Sequence, residues 1–140
     1  MKVPFAKSDK YGSYQLEQQG SFLLAIFQGV IGLGLSKAYL RDLKELAGTM
    51  PTPWIYIADC LRYQAAIPDA ALILQQAYEE CLKLGCMGDA YCIDSAVGIA
   101  QLAEIRKRSN ICSPIEDKIF ADMESAKQAM HKYLQALPHC

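Results

Sequence analysis

Residues Trp54 to Asp59 read Trp-Ile-Tyr-Ile-Ala-Asp, a short apolar run of β-branched and aromatic side chains that starts just after Pro51 and Pro53 and ends on a carboxylate. That length and composition predict a strand. Its near-continuous hydrophobicity predicts burial on both faces, the condition of a central strand in a sheet covered by helices. Asp59 and Cys60 then fall at its carboxyl end, the edge where open α/β sheets bind ligands.

Working outward, Tyr14, Leu16 and Gln18 alternate with Gln15 and Glu17, and the apolar run Phe22 to Phe27 resumes after Gln19-Gly20-Ser21, which predicts a hairpin. The glycine-rich segment Gly29 to Gly34 is expected to interrupt the second strand. Leu35, Tyr39, Leu43 and Leu46 recur at helical spacing and predict a helix that Gly48 stops. On the other side of the central run, Leu61 to Pro68 reads as a loop, and Asp69 as the N-cap of a helix ended by Gly85. Ala90 to Ile93 reads as a buried strand and Ser95 as the cap of the next helix. Ile99, Leu102 and Ala103 would form the inner stripe of that helix, with Glu104, Arg106, Lys107 and Arg108 outside. A turn-rich connection around Pro114 leads to a brief strand at Lys118 to Ala121, with Asp122 as the last cap. Ala126, Ala129, Met130, Tyr133, Leu134 and Leu137 then give an amphipathic helix that Pro138 ends. The predicted order is β-β-α-β-α-β-α-β-α, one α/β domain over 14–137 with tails at 1–13 and 138–140. Strict alternation after the hairpin implies parallel strands joined by right-handed crossovers.

Composition narrows the function classes. Hydrophobic residues make up 52% and charged residues 21% of the chain, an ordinary globular balance. A formal net charge of -1 gives no global field for a nucleic-acid backbone, so no nucleic-acid partner is expected. Met1 to Lys10 lacks an apolar core of signal-peptide length, and Phe22 to Leu35 is broken by Gln28 and by glycines, which predicts a cytoplasmic protein without a transmembrane segment. In that setting the six cysteines are expected as reduced thiols, with Cys140 exposed at the terminus.

Three stretches, Phe22-Leu-Leu-Ala-Ile-Phe-Gln-Gly, Trp54-Ile-Tyr-Ile-Ala-Asp and Ile119-Phe-Ala-Asp-Met-Glu-Ser-Ala-Lys-Gln-Ala, together with the element order, resemble the STAS family and its SpoIIAA-like branch of small bacterial domains. The resemblance implies a mixed sheet with a leading hairpin, alternating strand-helix units and four main helices. It also implies a regulatory module without catalysis, and it extends to lipid-carrier-like domains, although no residue here specifies a lipid. Some members are switched by phosphorylation of a serine that follows an aspartate. Here Asp59 is followed by Cys60-Leu61-Arg62, so that switch does not carry over, and Asp94-Ser95-Ala96-Val97-Gly98 resembles the motif one strand too late.

The candidate binding residues are Asp59, Cys60, Arg62, Tyr63, Asp94, Ser95 and Gly32, on the loops expected after the strands. Asp59 and Arg62 offer opposite charges and Tyr63 an apolar wall with a hydroxyl. The bland alternative is that Asp59 caps a turn, Arg62 pairs with it and Tyr63 covers the core. Gly29, Gly32 and Gly34 precede a helix and could offer N–H groups to an anion. Their spacing departs from G-x-G-x-x-G because Lys37 occupies the third glycine position. The expected partner is a protein or a small amphipathic ligand, with a homodimer also open. The alternative function is a thiol enzyme or redox sensor using Cys60 beside Asp59 and Arg62. Against it, Asp59 disfavours the Cys60 thiolate. Cys81, Cys86 and Cys92 fit no zinc spacing, and His131 and His139 form no acid-base or metal pair, so neither a catalytic residue nor a cofactor is expected. Arg106, Lys107 and Arg108 are accounted for by the helix dipole.

Overall fold

A computed structural model describes residues 5–137. The expected Pro138 stop, the tail 138–140 with His139 and Cys140, and residues 1–4 lie outside the described residues. Among the described residues, five strands form one sheet in the order β1-β2-β3-β4-β5. They are β1 (Phe5–Ser8), β2 (Gly12–Gln19), β3 (Phe22–Ile31), β4 (Trp54–Ala66) and β5 (Cys86–Ile93). The first three pair antiparallel, whereas β3, β4 and β5 are parallel. Four α-helices connect and cover them: α1 (Leu33–Ala47), α2 (Pro68–Lys83), α3 (Ala96–Arg108) and α4 (Met123–Ala136).

The hairpin forms where it was expected, with Gln19 opposite Phe22 around Gly20 and Ser21. Gly20 takes φ +60°, a conformation that side chains resist. In front of it, β1 occupies part of the stretch read as an N-terminal tail. Its turn into β2 is held by Asp9, whose carboxylate accepts from Tyr11 N at 2.8 Å and Gly12 N at 3.0 Å. Gly29 does not end β3. It takes φ +72° at an irregularity in the pairing, so the strand bends there and runs on to Ile31.

Trp54 is fully buried at the start of β4, an interior strand between β3 and the edge strand β5, with its indole N–H donated to Leu84 O at 2.9 Å. The strand it opens is twice as long as the apolar run. Leu61 to Ala66, read as a loop, continues β4 beside Gln28 to Ile31. Arg62 and Gln64 are polar because they are exposed, while Tyr63 and Ala66 remain buried. The connections β3–α1–β4 and β4–α2–β5 each step one strand in the same direction, so right-handed crossovers place α1 and α2 on one face, and α3, which follows β5, packs on the same core. Leu35, Tyr39, Leu43 and Leu46 of α1 belong to the large core on that face, with Ala70, Ala77 and Cys81 of α2, while Ile99 and Leu102 of α3 pack against it. The opposite face carries a smaller core in which Ala126 and Met130 of α4 cover Leu24, Ile55, Ile57, Ala90 and Cys92.

Several boundaries move. Helix α2 starts on Pro68 with Ile67 as its N-cap, so Asp69 lies in the first turn and is not the cap. β5 begins at Cys86, ahead of the expected Ala90. The expected strand Lys118 to Ala121 is reduced to a single parallel bridge between Ile119 and Tyr91, after a short turn of 3-10 helix at Ile115–Lys118. Ser95 and Asp122 cap α3 and α4 as expected, accepting from Gly98 N at 3.1 Å and Ser125 N at 2.8 Å.

Candidate functional site

A cavity of about 330 Å³ lies between the sheet and the layer formed by α1, α2 and α3. Its floor is the inward face of β4 and β5, including Tyr56, Ala58, Cys60, Tyr63, Tyr91 and Ile93. The walls are Ala71, Leu74, Ala77 and Tyr78 from α2, Gly98, Leu102 and Ile105 from α3, and Tyr39 and Leu43 from α1. Small residues on facing helices leave the space open, and the surrounding rings line it with apolar surface.

The two ends of the cavity differ. At the carboxyl end of the strands, Gln101 of α3 donates to Ala66 O at 2.8 Å and accepts from Ala66 N at 3.0 Å and from the Tyr63 hydroxyl at 3.2 Å. Ser95 adds a bond to Gln64 O at 2.7 Å. These contacts lace α3 to the end of β4. The exposed lining residues Leu82, Met87, Ser113 and Tyr133 instead gather near the amino end of β5, which marks the mouth. Tyr133 reaches the mouth from α4 and donates its hydroxyl to Met87 O at 2.9 Å.

One buried ionic cluster stands in the wall. Arg106 donates through Nε to Asp89 Oδ2 at 2.9 Å and through Nη2 to Asp89 Oδ1 at 3.2 Å. The same guanidinium holds the Ser113 carbonyl through Nη1 and the Ser113 hydroxyl through Nη2 at 2.9 Å. Tyr78 and Tyr91 each donate to Asp89 Oδ2 at 2.9 Å. Burial works against the charge on Arg106, and the hydrogen bonds and charge of Asp89 outweigh it, so its pKa is raised. Burial, followed by the charge of Asp89, keeps the Tyr78 and Tyr91 hydroxyls protonated well beyond the ordinary tyrosine range. Arg106 is therefore an interior residue and not part of the outer basic face assigned from sequence. Its position was readable: it stands seven residues after Ile99, on the same helical stripe.

The cavity separates the residues expected to share a rim. Cys60 and Tyr63 line it. Asp59 points to the opposite face of β4 by strand alternation and accepts from Leu61 N at 3.3 Å, where the pairing of β3 with β4 shifts register between Asp59 and Arg62. Arg62 is exposed and makes no ion pair among the described residues, so the alternative in which it pairs with Asp59 is not realised. Asp94 is exposed, Ser95 is engaged as a cap, and Gly32 is the N-cap of α1; none of the three lines the cavity. Burial, then Asp59, then Cys92 push the Cys60 thiol far above its ordinary value, so it keeps its proton. The five cysteines among the described residues are free thiols. Among the same residues, no group of three or more His, Cys, Asp and Glu side chains is placed to hold a metal ion, and no helix is long and apolar enough to cross a membrane.

Comparison of the whole architecture with solved structures finds an uncharacterised protein of the DUF3478 family with a SpoIIAA-like fold from Shewanella loihica PV-4. The two share 14% identity at a TM-score of 0.58, over 92% of this chain and 96% of that one. The chain has the SpoIIAA-like fold. This agrees with the mixed sheet, the leading hairpin and the four helices read from sequence. No family model matches the sequence, and no curated protein matches it. The SpoIIAA-like scaffold here carries its cavity under the helices, on the side of the sheet away from α4.

Proposed function

We propose that the protein is a non-catalytic binding module that holds a small amphipathic molecule between the sheet and the α1–α3 layer. The observation that carries this reading is the cavity itself. At about 330 Å³ it is at the small end of ligand pockets, which run from about 300 to 1,000 Å³. By the large-to-small mutant scale of about 24 cal/mol per Å³, a sealed dry void of 330 Å³ would cost on the order of 8 kcal/mol. That is comparable with the whole stability of a domain, about 5–15 kcal/mol. Water relieves part of the cost through the mouth, but the rings and aliphatic side chains that make up most of the walls give it few partners. An apolar body relieves more.

Absence of catalysis is supported by the chemistry of the lining. Cys60 is held protonated, Asp89 is neutralised by Arg106, and the Tyr78 and Tyr91 hydroxyls bonded to Asp89 are kept protonated by burial, so the lining offers no activated nucleophile. The phospho-switch of the wider family has no counterpart at Cys60.

A second reading rests on a different observation. Leu33, Ile67 and Val97 are exposed by 37%, 41% and 58%, and they stand at the starts of α1, α2 and α3, at the carboxyl edge of adjacent strands beside Gly32 and Ser95. Such an edge suits a partner protein. Native mass spectrometry of the protein purified from its own host separates the readings. A retained small molecule supports the cavity, and a bound polypeptide supports the rim. A bare monomer that also fails to take up any amphipathic probe would overturn the first.

A further inference from the structure

Resting on the cavity reading, the charges along the lining point to the kind of molecule held. Three lining residues carry formal charge: Asp89, Arg106 and Lys118. Asp89 accepts four hydrogen bonds, three at Oδ2 from Arg106, Tyr78 and Tyr91 and one at Oδ1 from Arg106, so its charge is matched by the guanidinium inside the wall. Arg106 directs its guanidinium to Asp89 and Ser113. The two charges cancel within the wall.

Lys118 is different. It is half-buried beside the mouth, with its ammonium 5.3 Å from the centre of the Tyr133 ring. Among the described residues no carboxylate lies within ion-pair distance of it, although Glu116 and Asp117 precede it on the same turn and are exposed. The lining therefore carries one uncompensated positive charge, placed where the apolar cavity meets solvent. We propose that the ligand is an amphipathic anion, with its apolar body inside and its acidic head at Lys118. Tyr133 assists by holding the ammonium over its ring while its hydroxyl is tied to Met87 O. The mouth lies at the amino end of β5, away from the carboxyl-edge loops where α/β sheets usually bind ligands.

The test is calorimetric titration of the full chain with decanoate and decyltrimethylammonium below their micellar concentrations and with decanol below its solubility limit. Wild type is expected to bind decanoate about tenfold tighter than decanol, the scale of one partly screened charge contact, and the cation weakest. Lys118→Gln should bring decanoate to the level of decanol while decanol changes by less than about twofold, and Lys118→Glu should make the cation the better ligand. The unchanged decanol affinity reports that each variant is folded. Equal binding of all three ligands by wild type, or parallel loss of decanoate and decanol in Lys118→Gln, overturns the anion inference and leaves the cavity reading standing. If none of the three binds, the cavity reading falls and takes this inference with it.

Discussion

Replacing Arg106 by methionine tests how the cavity wall is held. The substitution keeps an unbranched apolar stem and removes the guanidinium. In the wild type that guanidinium makes two bonds to Asp89 and two to Ser113, and the Arg106 and Asp89 side chains are only 3% and 8% exposed. Asp89 would keep the Tyr78 and Tyr91 hydroxyls but lose its only counter-charge in the wall. Removing one partner of a buried pair leaves an uncompensated charge and costs about 3–5 kcal/mol. A domain of this size has about 5–15 kcal/mol in all, so the variant should remain measurable by equilibrium urea unfolding with a much lower midpoint. Arg106→Lys keeps the charge but loses the fork geometry, and it should fall between the two. The decisive measurement is the cycle with Asp89→Asn. The double variant should be more stable than the sum of the single losses predicts, by about 2 kcal/mol or more, because neither charge is then left alone. A loss under about 1 kcal/mol for Arg106→Met, or additive losses in the cycle, would refute the reasoning, because an exposed or water-screened pair behaves that way.

Two further outcomes follow from the buried thiols. Burial pushes Cys86 from its ordinary value of 9.0 up to about 11. Above 9.0 the unfolded chain therefore binds fewer protons than the folded one, and stability, complete below that pH, falls toward 11 by up to about 1.4 kcal/mol per pH unit for this thiol. Urea melts across that range should show the decline, and Cys86→Ala should make it shallower; an unchanged slope would place the thiol in contact with water. Site-resolved labelling with a thiol reagent at neutral pH should modify Cys112, the exposed thiol among the described residues, ahead of Cys60, and Cys60 more slowly than an unfolded-chain cysteine. A Cys60 that outpaces the unfolded chain would restore the redox reading.

What could be read from the chain divides along physical lines. The Trp54 strand, the hairpin, the helical stripes and the Ser95 and Asp122 caps were legible because each is a local pattern: a period, a turn residue or a side-chain oxygen placed before a helix, whereas the central place in the sheet belongs to β3. The second half of β4 was not. Arg62 and Gln64 are polar because that end of the strand faces solvent on one side, and mixed polarity after an apolar run looks like a loop until its partner strand is known. β5 was cut short for a related reason, since Gly88 and Asp89 interrupt the apolar signal while the backbone pairing continues through them.

The cavity lay further out of reach because it is made of missing volume. Ala66, Ala71, Ala77 and Gly98 are unremarkable in their own segments, and they become a single space only when α2 and α3 are set over β4 and β5. Sheet topology draws attention to the carboxyl edge. In this chain the hydrogen bonds of Gln101 and Ser95 draw that edge together, and the accessible opening moves to the other end, where Met87, Ser113, Lys118 and Tyr133 come from three separate stretches of sequence. Of the residues proposed from sequence, Cys60 and Tyr63 both reached the cavity because the register of β3 with β4 shifts between Asp59 and Arg62, whereas Asp59, just before the shift, was carried to the far side by alternation. A strand places every second side chain in one chamber, so residues adjacent in sequence make poor site partners and residues facing one another across helices make good ones.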